Sequence, residues 1–254
     1  MIDPPPNDNE AKPAKVKREA ASSAGGYKQR WQRILARSTI GAGVLFLAVH
    51  ALGLTFAVMP IQGTLNMMMR PDGTKLRHDW VPLEQISPHL VRAVIAAEDS
   101  RFCEHGGIDF DALEEAIEDN QAGGRLRGGS TLTQQTAKNV FLWNGGGYAR
   151  KAAEAWLALY IDSIWTKRRT MEVYLNIAEW GDGIFGAEAA AQLRFGKSAA
   201  DLSREDAALL AAVLPSPNKW RVNPPGAYVR GRANTLTQRA QVVENEGLDR
   251  CVLK

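Results

Sequence analysis

The chain has 254 residues, 31 Lys and Arg against 28 Asp and Glu for a formal charge of +3, and two cysteines. That length suits one membrane anchor and one domain of up to about 200 residues, with a core that needs no disulfide staples. Residues 1–37 carry eight Lys and Arg against four Asp and Glu, leaving 23 against 24 elsewhere, so the basic excess belongs to the N-terminal tail and gives no argument for a nucleic-acid partner.

That tail is rich in Pro, Ala, Ser and Lys, with few large apolar residues before Trp31, so it cannot bury enough surface to fold alone and is expected to be disordered. From Ser38 to Met69 there is no Asp, Glu, Lys or Arg, and Ile40 to Ile61 is apolar apart from small polar residues and His50. Roughly 22 residues at about 1.5 Å each cover the ~30 Å hydrocarbon layer. The sequence therefore predicts a membrane-spanning helix over 38–61, followed by a single domain over 62–254. His50 is tolerable in the span if neutral or near an interface, and no acidic partner accompanies it to make a proton site. Lys28, Arg30, Arg33 and Arg37 precede the span, which puts the N-terminus in the cytoplasm and the domain outside. A cleavable signal peptide, cut near Val49-His50-Ala51, is the competing reading; the apolar run continuing to Ile61 favours an anchor. Cys103 and Cys251 then lie in an oxidising compartment, where a disulfide and two unpaired thiols both stay open because sequence gives no distance.

Beyond the span, Met67 to Met69 and the Arg70 to Gly73 turn suggest a short extended connection near the membrane surface. Ser87-Pro88 is an N-cap and first-turn pair, followed by Val91, Val94, Ile95 and Glu98 at helical spacing. Asp109 caps a second helix with Phe110, Leu113 and Ile117 as its apolar stripe, and the glycine-rich run from Gln121 to Gly129 predicts a mobile loop. Ser130 caps a third helix, Arg150 to Trp165 forms a fourth and Thr170 to Ala178 a fifth. Ser203 to Asp206 fits a capping box before a helix over Ala207 to Leu214, which Pro215 and Pro217 terminate. Strand signals are few, so the domain is expected to be mainly α.

Glu98 lies on the stripe that should face the core. A partly desolvated carboxyl there has its pKa raised toward the range of a general base, although Asp99 and His105 nearby also fit a purely structural network at a helix end. A second constellation, Gly128-Gly129-Ser130-Thr131, opens a helix that carries Gln134, Gln135, Lys138 and Asn139. Free N–H groups at the helix start, with donors along one side, suit a phosphate; alone, the segment would equally be a solvated helix face. In a third, Arg150-Lys151-x-x-Glu154, a second inward carboxylate has its own cations, which is also how an ordinary intrahelical ion pair looks. Two inward acids beside a donor-rich helix together favour glycosyl transfer or hydrolysis on a phosphate-bearing substrate.

In unbroken order over about residues 80–225, the runs Glu98-Asp99-x-x-Phe102-x-x-His105-x-Gly107, Gly129-Ser130-Thr131-Leu132-Thr133-Gln134-Gln135 with Lys138-Asn139, Arg150-Lys151-x-x-Glu154, Glu172-Val-Tyr174-Leu175-Asn176 and Gly183 through Lys197 resemble the motifs of family 51 glycosyltransferases, the peptidoglycan polymerases. With one span and no second domain, the chain is similar to the monofunctional biosynthetic proteobacterial members. The resemblance implies a lysozyme-like, two-lobed head and jaw, an inner-membrane anchor with the domain in the periplasm, and lipid II as substrate. It implies that Glu98 deprotonates the acceptor 4-hydroxyl, that attack proceeds with inversion, and that undecaprenyl pyrophosphate leaves. Asp99, Phe102, His105, Ser130, Thr131, Gln134, Gln135, Lys138, Asn139, Arg150 and Lys151 are implied in substrate binding. Glu154 is implied in assisting the leaving group, with a divalent cation, Mg2+ or Mn2+, as candidate cofactor and no organic one. The growing glycan chain, the membrane and other cell-wall or division proteins are the implied partners, without nucleic acid. One departure is Gly146, where many members carry an Arg; Arg125 or Arg127 substitutes, or leaving-group stabilisation is weaker here.

Ser216-Pro-Asn-Lys219 fits an acyltransferase pattern by chance, since no Lys-Thr-Gly partner follows. Arg221, Arg230, Arg232 and Arg239 suggest a solvated basic surface. A lytic, lysozyme-like glycosidase and a catalytically silent membrane scaffold remain the alternatives; neither explains the cationic helix and both carboxylates together.

Overall fold

The computed structural model describes residues 12–70, 75–121 and 129–254. The chain divides into two compact units, Met1–Leu52 and Gly53–Lys254. Helix α1, Lys12–Phe56, forms the first and runs into the second. Its stretch Gln29–Phe56 is long and apolar enough to cross a membrane, and Val44, Leu45 and Leu47 are exposed along it. The ring Nδ1 of His50 lies 2.7 Å from the Phe46 carbonyl one turn earlier, so that nitrogen is satisfied within the helix.

Both ends of this helix differ from the sequence reading. Residues 12–37 are helical where disorder is expected, because Ala, Lys, Arg, Gln and Glu are good helix formers and the segment continues into the span. At the other end the helix stops at Phe56 rather than Ile61, since Pro60 cannot donate to a helix carbonyl and disfavours helical backbone before it. Side chains from later in the chain hold this end in place. Arg169 donates to Phe56 O at 2.9 Å and also to Met59 O, and Trp165 Nε1 donates to Gly53 O at 2.8 Å.

The second unit continues with α2 (Leu65–Met68), where an extended connection was expected, β1 (Arg77–His78), α3 (Pro88–Glu98), α4 (Phe110–Gln121), α5 (Leu132–Phe141), α6 (Tyr148–Ile164), α7 (Lys167–Ile177), β2 (Glu179–Gly181) and β3 (Ile184–Phe185). It closes with α8 (Ala187–Phe195), α9 (Arg204–Val213), α10 (Ala227–Glu246) and α11 (Arg250–Leu253). The fold is mainly helical. The short strands pair in the order β1-β3-β2, parallel between β1 and β3 and antiparallel between β3 and β2. Gly186, at φ +88°, leads from this sheet into α8, and a Cβ there would stand 2.8 Å from the Asn176 carbonyl oxygen, so only glycine fits.

α3 packs against α9 and α10, and α5 against α6 and α7. Ser87 caps α3 by accepting from His89 N, and Leu90, Val91, Ala93, Val94, Ile95 and Ala96 are all buried. The alanines of α9, Ala207, Ala208, Ala211 and Ala212, let α3 approach closely. Ser203 and Asp206 form the expected capping box of α9. The apolar stripe of α4 faces outward: Phe110 is 65 % exposed, Leu113 and Ile117 are also exposed, and among the described side chains of this helix only Ala116 is buried. The glycine-rich loop after α4 falls mostly outside the described residues, as do Arg125 and Arg127. Cys103 and Cys251 are joined in a disulfide, their Cα atoms 5.6 Å apart across a sequence separation of 148. Of the two possibilities left open by the sequence, pairing is the one realised.

Candidate functional site

Glu98 is the last residue of α3, so the buried helix delivers its carboxylate to the edge of the core, where it is half-buried. Burial raises its pKa above the usual carboxyl range; the hydrogen bond from Gln135 and the charges of Arg232 and Lys138 oppose the rise, and Asp99 adds to it. Gln135 Nε2 donates to Glu98 Oε2 at 2.9 Å, and Tyr174 Oη donates to Gln135 Oε1 at 3.3 Å. Because Tyr174 fixes the amide oxygen, the amide nitrogen must face the carboxylate. Burial, and then the Glu98 charge, push the Tyr174 pKa far up, so the phenol stays a donor. Among the described residues nothing donates to Glu98 Oε1, which leaves that oxygen to accept a proton.

Lys138 follows Gln135 by three residues on the same face of α5. Burial lowers its pKa, Arg150 and Lys151 reinforce that, and Glu154 and Glu98 act against it. One lysine thus feels both carboxylates, and α5 joins the two acids into one electrostatic unit. Glu154, 3 % exposed, accepts from Arg150 at 2.6 Å through one oxygen and from Lys151 through the other. Lys151 also donates to Ser130 Oγ at 2.7 Å, tying the start of α6 to the loop before α5. Three cations around one buried acid leave a net positive wall.

The remaining residues of the sequence reading divide. Ser130 does not cap α5: Thr131 does, accepting from Gln134 N while Gln134 Oε1 accepts from Thr131 N, and Thr131 Oγ1 donates to Gly107 O at 2.6 Å. Thr131 and Gln134 are both buried in this box, so they support the site from behind. Asp99 is likewise a fastener, accepting from Leu132 N and holding the His105 ring, each at 2.9 Å. That bond lifts the His105 pKa against its burial. Phe102 is 0 % exposed beneath the Lys167 ammonium, which lies 4.8 Å from its ring centre, so it belongs to the core and cannot touch a substrate. Asn139 Oδ1 accepts from Asn66 at 3.4 Å, linking α5 to α2. Asn176 is also structural, pairing its amide with both backbone groups of Val81 at 2.9 Å. The sequence reading missed the placement of Tyr174 and Arg232, although Tyr174 stands inside a quoted motif.

A divalent cation at Glu154 does not fit the residues present, since both carboxylate oxygens already carry protein cations. The one His and Asp cluster with suitable spacing among the described residues is Asp99, His105 and Asp109. Its oxygens are committed as well, Asp109 to both arms of Arg101 and to Ala112 N. At Gly146, φ is +79°, a conformation that an arginine would adopt only under strain.

A family model described as Transglycosylase matches residues 64–243. The chain is 53 % identical over 223 residues to a biosynthetic peptidoglycan transglycosylase of Rhodospirillum centenum, covering 87 % of this chain and 96 % of that protein. It is 48 % identical over 226 residues to one of Caulobacter vibrioides, covering 88 % and 99 %. Against one of Pseudomonas aeruginosa the identity is 51 % over 187 residues, 71 % of this chain and 81 % of that one. The matched span takes in α3, α5 and α6 with every residue around Glu98 and Glu154, and on that footing the chain belongs to the transglycosylase family.

Proposed function

We propose that this chain polymerises the glycan strands of peptidoglycan from lipid II by inverting glycosyl transfer, with undecaprenyl pyrophosphate as leaving group. The observation that carries the reading is the α5 arrangement: Gln135 aims one oxygen of Glu98 while Lys138, one turn on, heads a cluster of three cations around Glu154. In this reading Glu98 Oε1 takes the proton of the acceptor GlcNAc 4-hydroxyl as that oxygen bonds to the donor's anomeric carbon. The carbon–oxygen bond to the diphosphate breaks on the opposite face, and the electron pair leaves with the diphosphate. Lys138, Arg150 and Lys151 lower the energy of the charge that grows there. No step runs through a metal ion.

The two-lobed head and jaw, the inner-membrane anchor with a cytoplasmic N-terminus, and the periplasmic placement of the domain belong to the same proposal. The apolar span supports an anchor, and the outward Phe110, Leu113 and Ile117 together with exposed Val58, Met59, Met68 and Met69 suit a jaw resting on lipid. Incubating the purified full-length chain with labelled lipid II is expected to give glycan polymer and free undecaprenyl pyrophosphate. Cleavage of finished glycan without polymer would favour the glycosidase, and no reaction the scaffold.

Lys138→Ala is expected to raise the lipid II concentration needed for half-maximal rate by roughly tenfold or more, since a charge-assisted contact to diphosphate is lost. A titration curve superimposable on that of the unaltered protein would remove Lys138 from the site.

A further inference from the structure

A second basic feature lies on α10, apart from the cations of α5 and α6. The cleft between the end of α3 and the middle of α10 has a volume of about 380 Å³ and is lined by Ala97, Tyr228, Gly231, Arg232, Thr235 and Arg239. Ala97 precedes Glu98 in the chain, and Arg232 of the lining is near enough for its charge to act on the Glu98 carboxyl. Tyr228, Arg232, Thr235 and Arg239 recur at four- and three-residue spacing and therefore form one stripe along α10. Gly231 leaves the floor open, as a Cβ there would meet nothing within 4 Å.

The chemistry of this stripe is graded. At one end Tyr228 packs against Trp220, ring centres 4.7 Å apart, and both rings keep part of their surface in solvent. Such a platform suits the apolar face of a sugar ring. At the other end stand two guanidinium groups. Among the described residues neither Arg232 nor Arg239 has a carboxylate within ion-pair distance, and Nε of Arg232 is buried without any hydrogen-bond partner. A buried donor left unpaired is costly, which marks a place where an acceptor from outside would be welcome.

We propose that the α10 cleft is an acceptor subsite, in which Tyr228 and Trp220 seat a sugar of the incoming strand and Arg232, with Arg239, binds a carboxylate of its peptide substituent. The inference rests on the polymerase reading above and names where the acceptor lies. The cationic cluster at Lys138, Arg150 and Lys151 is then left to the departing diphosphate, and Glu98 stands between the two partners. Arg232 also holds the Glu98 carboxyl down against the burial that pushes it up, so an occupied cleft and a competent base are linked through one side chain.

The test uses the full-length protein in detergent and a soluble GlcNAc-MurNAc-peptide with free carboxylates, alongside the same compound with its carboxylates amidated and inorganic pyrophosphate. By isothermal titration the unaltered protein is expected to bind the free-carboxylate compound, and Arg232→Gln to bind it roughly tenfold or more weakly, with Arg232→Lys in between. Amidation should remove the difference between the unaltered protein and Arg232→Gln, and the thermal transitions should stay within a few degrees. Equal affinity of the unaltered protein and Arg232→Gln for the free-carboxylate compound overturns the proposal. So does displacement of that compound by pyrophosphate in the unaltered protein with no effect in Arg232→Gln, because the cleft would then be a diphosphate site. Polymer formation from lipid II by the unaltered protein is scored separately, and its absence would count against the polymerase reading whatever the cleft binds.

Discussion

Glu98→Gln is expected to lower glycan polymerisation by about 10²- to 10⁴-fold, the range of a lost general base, with lipid II affinity and fold retained. The glutamine keeps the shape of the side chain and an oxygen that can still accept from Gln135, so what disappears is proton acceptance alone. Steady-state rates and a binding titration on the same preparation check this, and turnover at the original rate would remove Glu98 from the role of base. The pH dependence has a definite sign. Because the folded-state pKa of Glu98 is raised, the carboxylate fraction, and with it the rate, climbs as pH rises through that value. Stability moves the other way: the unfolded chain releases this proton at lower pH than the folded one, so its contribution falls as pH rises from the ordinary carboxyl value through the raised one. Glu98→Gln should therefore melt at a higher temperature than the unaltered protein above that window and differ little from it at acid pH. A site that weakens the fold in order to keep a base poised is a familiar exchange of stability for activity.

Glu154→Gln should lose both stability and rate. The carboxylate is 3 % exposed between Arg150 and Lys151, and neutralising it leaves two cations with no anion between them. Removal of one member of a fully buried pair costs about 3–5 kcal/mol; here the Lys151 side chain is 42 % exposed, so about 2 kcal/mol is the expected loss. If Glu154 also fixes the direction of the cations toward the diphosphate, single-turnover rates measured well below the melting temperature should drop by roughly 10²-fold. A variant that is less stable yet turns over normally while folded would reduce Glu154 to a structural clamp.

Much of this geometry is legible in the sequence because it is set locally. Ser87-Pro88 and the spacing of Val91, Val94 and Ile95 specify α3 and place Glu98 at its end, and Ser203 with Asp206 specifies the start of α9. The errors arise where local chemistry leaves two outcomes of similar energy. Ser130 and Thr131 can each cap α5, and the choice falls to Thr131 because its hydroxyl also reaches Gly107. Phe110, Leu113 and Ile117 mark an amphipathic helix correctly, but periodicity does not say whether its apolar side meets protein or lipid. Motif membership is equally silent on direction: Phe102 and Glu98 sit four residues apart in one motif, one sealed in the core and the other opening from it. α10 escapes because polar residues dominate it and its buried positions, Val229, Ala233, Leu236 and Val243, are sparse. Arg232 reaches the vicinity of Glu98 only through that helix, so no pattern around Glu98 could have named it.

The bond between Cys103 and Cys251 gives the site an order of assembly. Cys103 lies in the segment that carries Asp99 and His105, and its partner comes 148 residues later, within α11. The clasp therefore cannot close until α11 has docked, and an oxidant acting before then would find only one of the two sulfurs within reach.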